Sequence, residues 1–137
     1  MGNRLTQYGG QTVTYDAEGN MTYGPLGGAF ASFTYDQRNQ LTSAGGTTYT
    51  YDGEGTRVTR GGTTYVTDPV SELSQLLMTY NEDGSVTYYV YAPGYGLMSQ
   101  ETFYAGQPIQ YRQFHFDYRG NTIALSDESG MPVRWLL

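Results

Sequence analysis

Thr47-Thr48-Tyr49-Thr50-Tyr51-Asp52-Gly53-Glu54-Gly55-Thr56-Arg57-Val58-Thr59-Arg60 reads as a strand, a tight turn and a returning strand. Tyr49 and Tyr51 alternate with Thr48 and Thr50, the period-two pattern of a half-buried strand. Asp52-Gly53-Glu54-Gly55 supplies the turn: an Asp side chain accepts backbone N–H groups just downstream, and Gly takes positive φ. Arg57 to Arg60 carries the chain back, and Gly61-Gly62 turns it into Thr63-Thr64-Tyr65-Val66-Thr67. Two hairpins in succession make a meander.

The unit recurs along the chain. Tyr15-Asp16-Ala17-Glu18-Gly19-Asn20-Met21-Thr22, Tyr35-Asp36-Gln37-Arg38-Asn39-Gln40-Leu41-Thr42 and Tyr51 to Val58 are strong copies. Tyr80-Asn81-Glu82-Asp83-Gly84-Ser85-Val86-Thr87 and Phe116-Asp117-Tyr118-Arg119-Gly120-Asn121-Thr122-Ile123 are looser ones. The shared frame is an aromatic, Asp or Asn, two free residues, Gly or Asn, a polar residue, any residue, then Thr or an aliphatic. The frame makes Asp16, Gly19, Asp36, Asn39, Asp52, Gly55, Asp117 and Gly120 structural turn residues. A longer repetition surrounds it: Asn3-Arg4-Leu5-Thr6 precedes Gly9-Gly10, as Asn39-Gln40-Leu41-Thr42 precedes Gly45-Gly46. Repeats of this kind bury their apolar faces by stacking on their neighbours.

These units resemble the YD repeats of the RHS proteins, with Tyr15-Asp16, Tyr35-Asp36 and Tyr51-Asp52 as the namesake dipeptides. Phe114 to Gly130 is similar to the start of the RHS repeat-associated core. The resemblance implies an all-β fold of antiparallel hairpin and meander repeats in a curled or spiralling sheet. Such sheets build the hollow shells of bacterial RHS toxins and insecticidal toxin-complex C components, and a similar barrel in teneurins. It also implies a secreted or cell-surface protein of bacterial type. The family core usually continues into an Asp-Pro segment with a self-cleavage site. This sequence stops at Arg134-Trp135-Leu136-Leu137, so no cleavage aspartates map onto it. An abrupt start and stop within the repeats leads us to expect a segment of a larger chain.

Composition agrees with strands. The 137 residues include 15 Tyr and 19 Gly, favouring strands and tight turns over helices. We read one β domain over 1–137, with repeats near 3–24, 29–46, 47–68, 76–96 and 97–137. The formal charge is −6 and every basic residue is Arg, so there is no basic stripe for nucleic acid. An anionic membrane surface is disfavoured too, and no apolar run reaches the roughly 20 residues of a bilayer span. Without cysteine there is neither disulfide nor thiol chemistry.

In finer detail, Thr12 to Tyr15 pairs with Met21 to Tyr23, and Gly24-Pro25-Leu26-Gly27-Gly28 reads as a loop. Asp68 to Met78 breaks the pattern, with Ser71 a possible helix N-cap, and reads as loop then strand. Val86, Tyr88 and Val90 oppose Thr87, Tyr89 and Tyr91, which suggests a strand covered on both faces. The count is roughly 12 to 14 strands with no long helix.

The repeat aspartates are carboxylates of the kind Ca²⁺ takes, but each turn offers only one or two, and an Asp capping its own turn explains them more simply. His115 is the one histidine. Ser126 and Asp117 match it by type for a catalytic triad, yet a structural histidine is the simpler reading. Glu18, Glu54 and Glu82 read as solvated turn charges rather than a glycosidase pair. We therefore expect no enzyme activity, catalytic residue, metal site or cofactor. Tyr15, Tyr35, Tyr51 and Tyr80 read as core. Tyr23, Tyr89, Tyr95 and Tyr104 are candidate glycan-binding residues, since tyrosine pairs an apolar body with a polar tip. The expected function is a structural shell segment, or self-assembly into an oligomer or filament through open sheet edges. Partners are then further copies or the rest of a larger chain. A carbohydrate-binding module is the alternative.

Overall fold

The computed structural model describes residues 4–70, 75–93 and 96–135, with the backbone alone at Trp135. The described residues are strands and turns, without a helix. Two compact units divide the chain, residues 1–61 and 62–137.

In the first unit a small hairpin, β1 (Gln7–Tyr8) and β2 (Gln11–Thr12), stands apart from a meander. The meander runs β3 (Thr14–Tyr15), β4 (Met21–Leu26), β5 (Ala29–Tyr35), β6 (Leu41–Ala44), β7 (Thr47–Tyr51) and β8 (Arg57–Arg60), each antiparallel to the one before. Val13 separates β2 from β3, so the expected strand over Thr12 to Tyr15 is broken; the Val13 N–H bonds the Thr6 carbonyl at 3.0 Å.

The expected loop at Gly24 to Gly28 is corrected. β4 continues through Gly24 and Pro25, which pair with Ala31 and Phe30 of β5, and the chain reverses at Gly27-Gly28. Pro25 is tolerated because the register of β3 with β4 stops at Tyr23. Its missing N–H falls where no third strand needs it.

The second unit holds β9 (Thr63–Thr67), β10 (Leu76–Tyr80), β11 (Val86–Ala92), β12 (Gly96–Phe103), β13 (Gln110–Phe116), β14 (Thr122–Ser126) and β15 (Pro132–Trp135). These also pair antiparallel in chain order. The all-β antiparallel meander expected from the sequence is thus present. At the ends of the expected loop and strand over Asp68 to Met78, the Asp68 N–H bonds the Gln75 carbonyl at 2.8 Å, and β10 follows. The proposed cap at Ser71 lies outside the described residues.

Among the described residues no large side chain is fully buried. The apolar core of the first unit is Val13, Phe33 and Ala44; in the second it is Ala124, with Thr79, Ser85, Thr87, Ser99 and Ser126 buried beside it. With so little apolar burial, hydrogen bonds and cross-strand pairs carry much of the local order. The two-sided cover expected for β11 is corrected. Tyr88 and Val90 are each 46% exposed, whereas Thr87 on the other face is buried at 5%.

Candidate functional site

The repeat turns share one backbone design. The Asp N–H bonds the carbonyl four residues on, and the Gly or Asn three residues after the Asp bonds back to the Asp carbonyl. These bonds are Asp16 to Asn20 at 3.0 Å and Gly19 to Asp16 at 3.3 Å; Asp36 to Gln40 and Asn39 to Asp36; Asp52 to Thr56 and Gly55 to Asp52; Asp117 to Asn121 and Gly120 to Asp117. Asn39 carries the left-handed backbone at φ 60°, where the other copies use Gly. Ser126-Asp127-Glu128-Ser129-Gly130 closes in the same way, with Asp127 to Met131 and Gly130 to Asp127 both at 3.0 Å. The repeat frame does not pick out this copy, because Ser126 stands where the frame asks for an aromatic.

Each Asp carboxylate accepts from its own turn. Asp16 Oδ1 takes the Gly19 and Asn20 N–H groups, both at 2.7 Å. Asp36 takes those of Arg38 and Gln40, Asp52 those of Glu54 and Thr56, and Asp117 those of Arg119 and Asn121. Asp127 does the same with Ser129 and Met131. In Asp16 partial desolvation pulls the carboxyl up, but the Asn20 amide and backbone N–H groups outweigh it, and the group sits below its usual range. Asp117 is also lowered, chiefly by the Asn121 side chain and backbone.

A β-bulge follows each of these turns. Thr14 pairs with Tyr23 but Tyr15 with Met21, leaving Thr22 as the extra residue. Thr42, Val58, Ile123 and Val133 hold the corresponding place. This is the eighth position of the frame, the one written as Thr or an aliphatic. Beside the bulge, threonine hydroxyls pair across strands: Thr14 with Thr22 at 2.8 Å, Thr34 with Thr42 at 2.9 Å and Thr50 with Thr59 at 2.7 Å. The sequence signal was the Thr before each Tyr-Asp, which the frame left out.

Three tyrosines then reach back over the sheet. Tyr15 donates its hydroxyl to the Leu5 carbonyl at 2.9 Å, Tyr35 to Met21 at 3.1 Å and Tyr51 to Leu41 at 2.9 Å. Burial and the nearby Asp16 charge push the Tyr35 hydroxyl up. Neighbouring turns of the first unit are also joined. Asn20 Nδ2 donates to Asn39 Oδ1 at 2.9 Å, and an Arg38 guanidinium N–H to the Gly53 carbonyl at 3.0 Å. Arg4 lies over the Tyr15 ring at 5.4 Å from its centroid. The groove between the Asp16 and Asp36 turns, about 600 Å³, is lined by Glu18 as well as both aspartates.

Tyr80 departs from the expectation of a core tyrosine: it is 49% exposed. Its turn has Asn81 in the Asp position, and Asn81 Nδ2 donates to Ser85 Oγ at 2.9 Å and Thr87 Oγ1 at 3.1 Å. Asp83 takes over the capping, accepting the Ser85 N–H at 2.9 Å.

Of the glycan candidates, Tyr23 is exposed and stacks obliquely on Phe30 at 5.3 Å, with Tyr8 on the same ring at 6.5 Å. Tyr89 is half-buried, and Tyr104 is exposed beside a cleft. Tyr95 lies outside the described residues. His115 and Ser126 are brought together, with Nε2 and Oγ 2.8 Å apart, and Ser126 is buried at 2%. Asp117 does not join them, since its carboxylate is turned to its own hairpin. Among the described residues there is no cluster of three metal-ligating His, Cys, Asp or Glu.

No protein-family model matches the chain, and no curated protein matches it. Among solved structures, the Photorhabdus luminescens Tc holotoxin pore is similar at 19% identity over 85% of this chain, with a TM-score of 0.36. The match spans 5% of that structure's chain.

Proposed function

We propose that this chain is a non-enzymatic structural segment, a YD-repeat β-sheet of a secreted or cell-surface shell. Its sheet edges join it to further copies of itself or to the rest of a larger RHS-type chain. The observation that carries this reading is where the polar side chains go. The repeat aspartates cap their own turns, the threonines pair with each other, and Tyr15, Tyr35 and Tyr51 bond backbone carbonyls. Side chains committed in this way hold strands in register rather than act on a substrate.

The edges supply the partner surface. Among the described residues, β15 pairs with β14 alone and β3 with β4 alone. An unpaired strand side presents N–H and C=O groups that another strand satisfies. Light scattering after size-exclusion, with imaging of the same fractions, tests it. A mass rising above the 15.2 kDa monomer with concentration is expected for edge pairing. A 15.2 kDa monomer at every concentration removes self-association and leaves the larger chain as the partner.

A second reading, carbohydrate binding through exposed tyrosines, is favoured by one observation: Tyr104, 47% exposed, lines an open cleft with both polar and apolar walls. Binding across a glycan panel tests it.

A further inference from the structure

β11 and β12 run antiparallel with Val86 opposite Phe103 and Thr87 opposite Thr102. The 81–85 turn and the 104–109 connection therefore stand at the same end of neighbouring strands. Thr87 and Thr102 bond each other at 2.9 Å just behind them. Between the two lies an open cleft of about 540 Å³. Volumes of this size are ordinary for small-molecule sites, roughly 300–1,000 Å³.

The lining is unlike the gaps between first-unit turns. There the protein's own groups cross the gap, as Asn20 does to Asn39 and Arg38 to Gly53. Here Asp83 and Ser85 form one wall, and Tyr104, Gln107, Ile109 and Gln110 the other. Asp83 Oδ1 is held in place by the Ser85 N–H at 2.9 Å and the Ser85 hydroxyl at 2.7 Å. Among the described residues, the Tyr104 hydroxyl and the side-chain amides of Gln107 and Gln110 have no partner within the chain, although the Gln107 backbone N–H bonds the Tyr104 carbonyl. An apolar ring face beside side-chain amides and a fixed carboxylate is a matched set. Each amide offers a donor and an acceptor, as adjacent sugar hydroxyls do. The ring meets the C–H face of a pyranose.

We propose that this cleft binds one neutral pyranose residue, with Tyr104 against its C–H face and Gln107, Gln110 and Asp83 on adjacent hydroxyls. The inference rests on the carbohydrate reading above and gives it a place and a ligand class. An acidic sugar is disfavoured: among the described residues no basic side chain lines the cleft, and the chain carries a formal charge of −6.

Saturation-transfer NMR on the intact chain tests it, using methyl glycosides of glucose, galactose, mannose and N-acetylglucosamine, lactose and cellobiose, and N-acetylneuraminate. Transfer to at least one neutral sugar is expected. It should weaken about tenfold in Tyr104→Ala and in Gln110→Ala, the effect of losing one good contact. Tyr118→Ala, an exposed ring elsewhere, should leave it unchanged, and amide dispersion in each variant checks folding. Transfer that survives Tyr104→Ala and Gln110→Ala but fails in Tyr23→Ala overturns the cleft and spares the carbohydrate reading. Transfer to N-acetylneuraminate alone overturns the neutral ligand. No transfer to any sugar overturns both.

Discussion

The hairpin that begins at Tyr51 and the one that begins at Tyr80 close with the same pair of backbone bonds. In the first, Asp52 bonds Thr56 at 2.9 Å and Gly55 bonds Asp52 at 3.2 Å; in the second, Asn81 bonds Ser85 at 2.9 Å and Gly84 bonds Asn81 at 3.0 Å. They part in the returning strand. Val58 is an extra residue, so Thr50 pairs with Thr59 while Tyr51 pairs with Arg57. After Tyr80 the register stays in step: Met78 with Tyr88, Thr79 with Thr87 and Tyr80 with Val86. A bulge exchanges the faces of every residue beyond it relative to the partner strand. In the in-step hairpin, Thr79 and Thr87 share a face and are buried at 3% and 5%, while Tyr80 and Tyr88 share the other and stand exposed. In the bulged hairpin Tyr51 is half-buried and bonds Leu41. In these two hairpins the turn sets the reversal of the chain, and the bulge accompanies the half-buried aromatic; the hairpin at Phe116 is bulged too, yet leaves its ring 37% exposed.

The largest effect should come from the aromatic itself. Tyr51→Ala removes a half-buried ring and a hydroxyl bond, and should lower stability by about 2 kcal/mol in urea unfolding. Tyr80→Ala should stay within about 0.5 kcal/mol, as exposed substitutions do. Equal losses at the two positions would break the comparison. The next effect lies inside one turn. Gly55 sits at φ 91°, and a Cβ there would meet the Gln40 amide at 3.0 Å. Gly55→Ala should therefore cost about 1–2 kcal/mol. Gly53 has open space around it and no left-handed φ, so Gly53→Ala should be neutral or stabilising by about 0.4–1 kcal/mol. A reversed order would mean the turn is held by something other than its left-handed position.

A smaller effect sharpens the contrast at the fourth copy. Asn81 donates to Ser85 and Thr87, and a carboxylate cannot. Asn81→Asp should cost about 1 kcal/mol, although Asp is what the other copies carry there. A gain in thermal midpoint would show that this turn accepts the ordinary repeat chemistry after all.

Local chemistry was legible in the sequence, and facing was not. Asp16, Asp36, Asp52 and Asp117 cap turns because an Asp beside Gly or Asn decides its conformation over a few residues. The eighth position was visible as Thr or aliphatic, yet nothing within eight residues of Tyr80 said that Thr87 would pair in step. Tyr80 holds the aromatic position of the frame, so the sequence alone reads it as core like Tyr15, Tyr35 and Tyr51. Gly24-Pro25 has the local chemistry of a break, but its neighbours make it a strand: β5 pairs that segment, and β3 ends before reaching it. The Tyr104 cleft was the least legible, since Asp83 and Gln110 meet only once β11 and β12 pair.

Acid should separate the turns by a still smaller margin. Asp117 is held below its ordinary 3.8 by the Asn121 side chain first and backbone N–H groups after it. Asp83 and Asp127 are lowered too, each led by a serine hydroxyl, Ser85 and Ser129. A carboxyl whose folded value lies below its unfolded one adds stability above the unfolded value, and loses it as pH falls through the folded value. Asp117→Asn removes that contribution while keeping an acceptor oxygen. Its thermal midpoint should fall slightly below that of the parent chain near neutral pH. The gap should narrow below 3.8 and close once the parent's Asp117 is also uncharged. Asp52, which caps its turn through the same two kinds of N–H bond, provides the matched position: Asp52→Asn followed over the same pH range asks whether the carboxylate or only its oxygen matters there. A gap at Asp117 that stays constant from neutral pH to strong acid would mean that the turn needs the second carboxyl oxygen as an acceptor and not the charge. The amide side chain of Asn121, donating to Asp117 Oδ2 at 2.9 Å, would then be holding shape rather than ionisation.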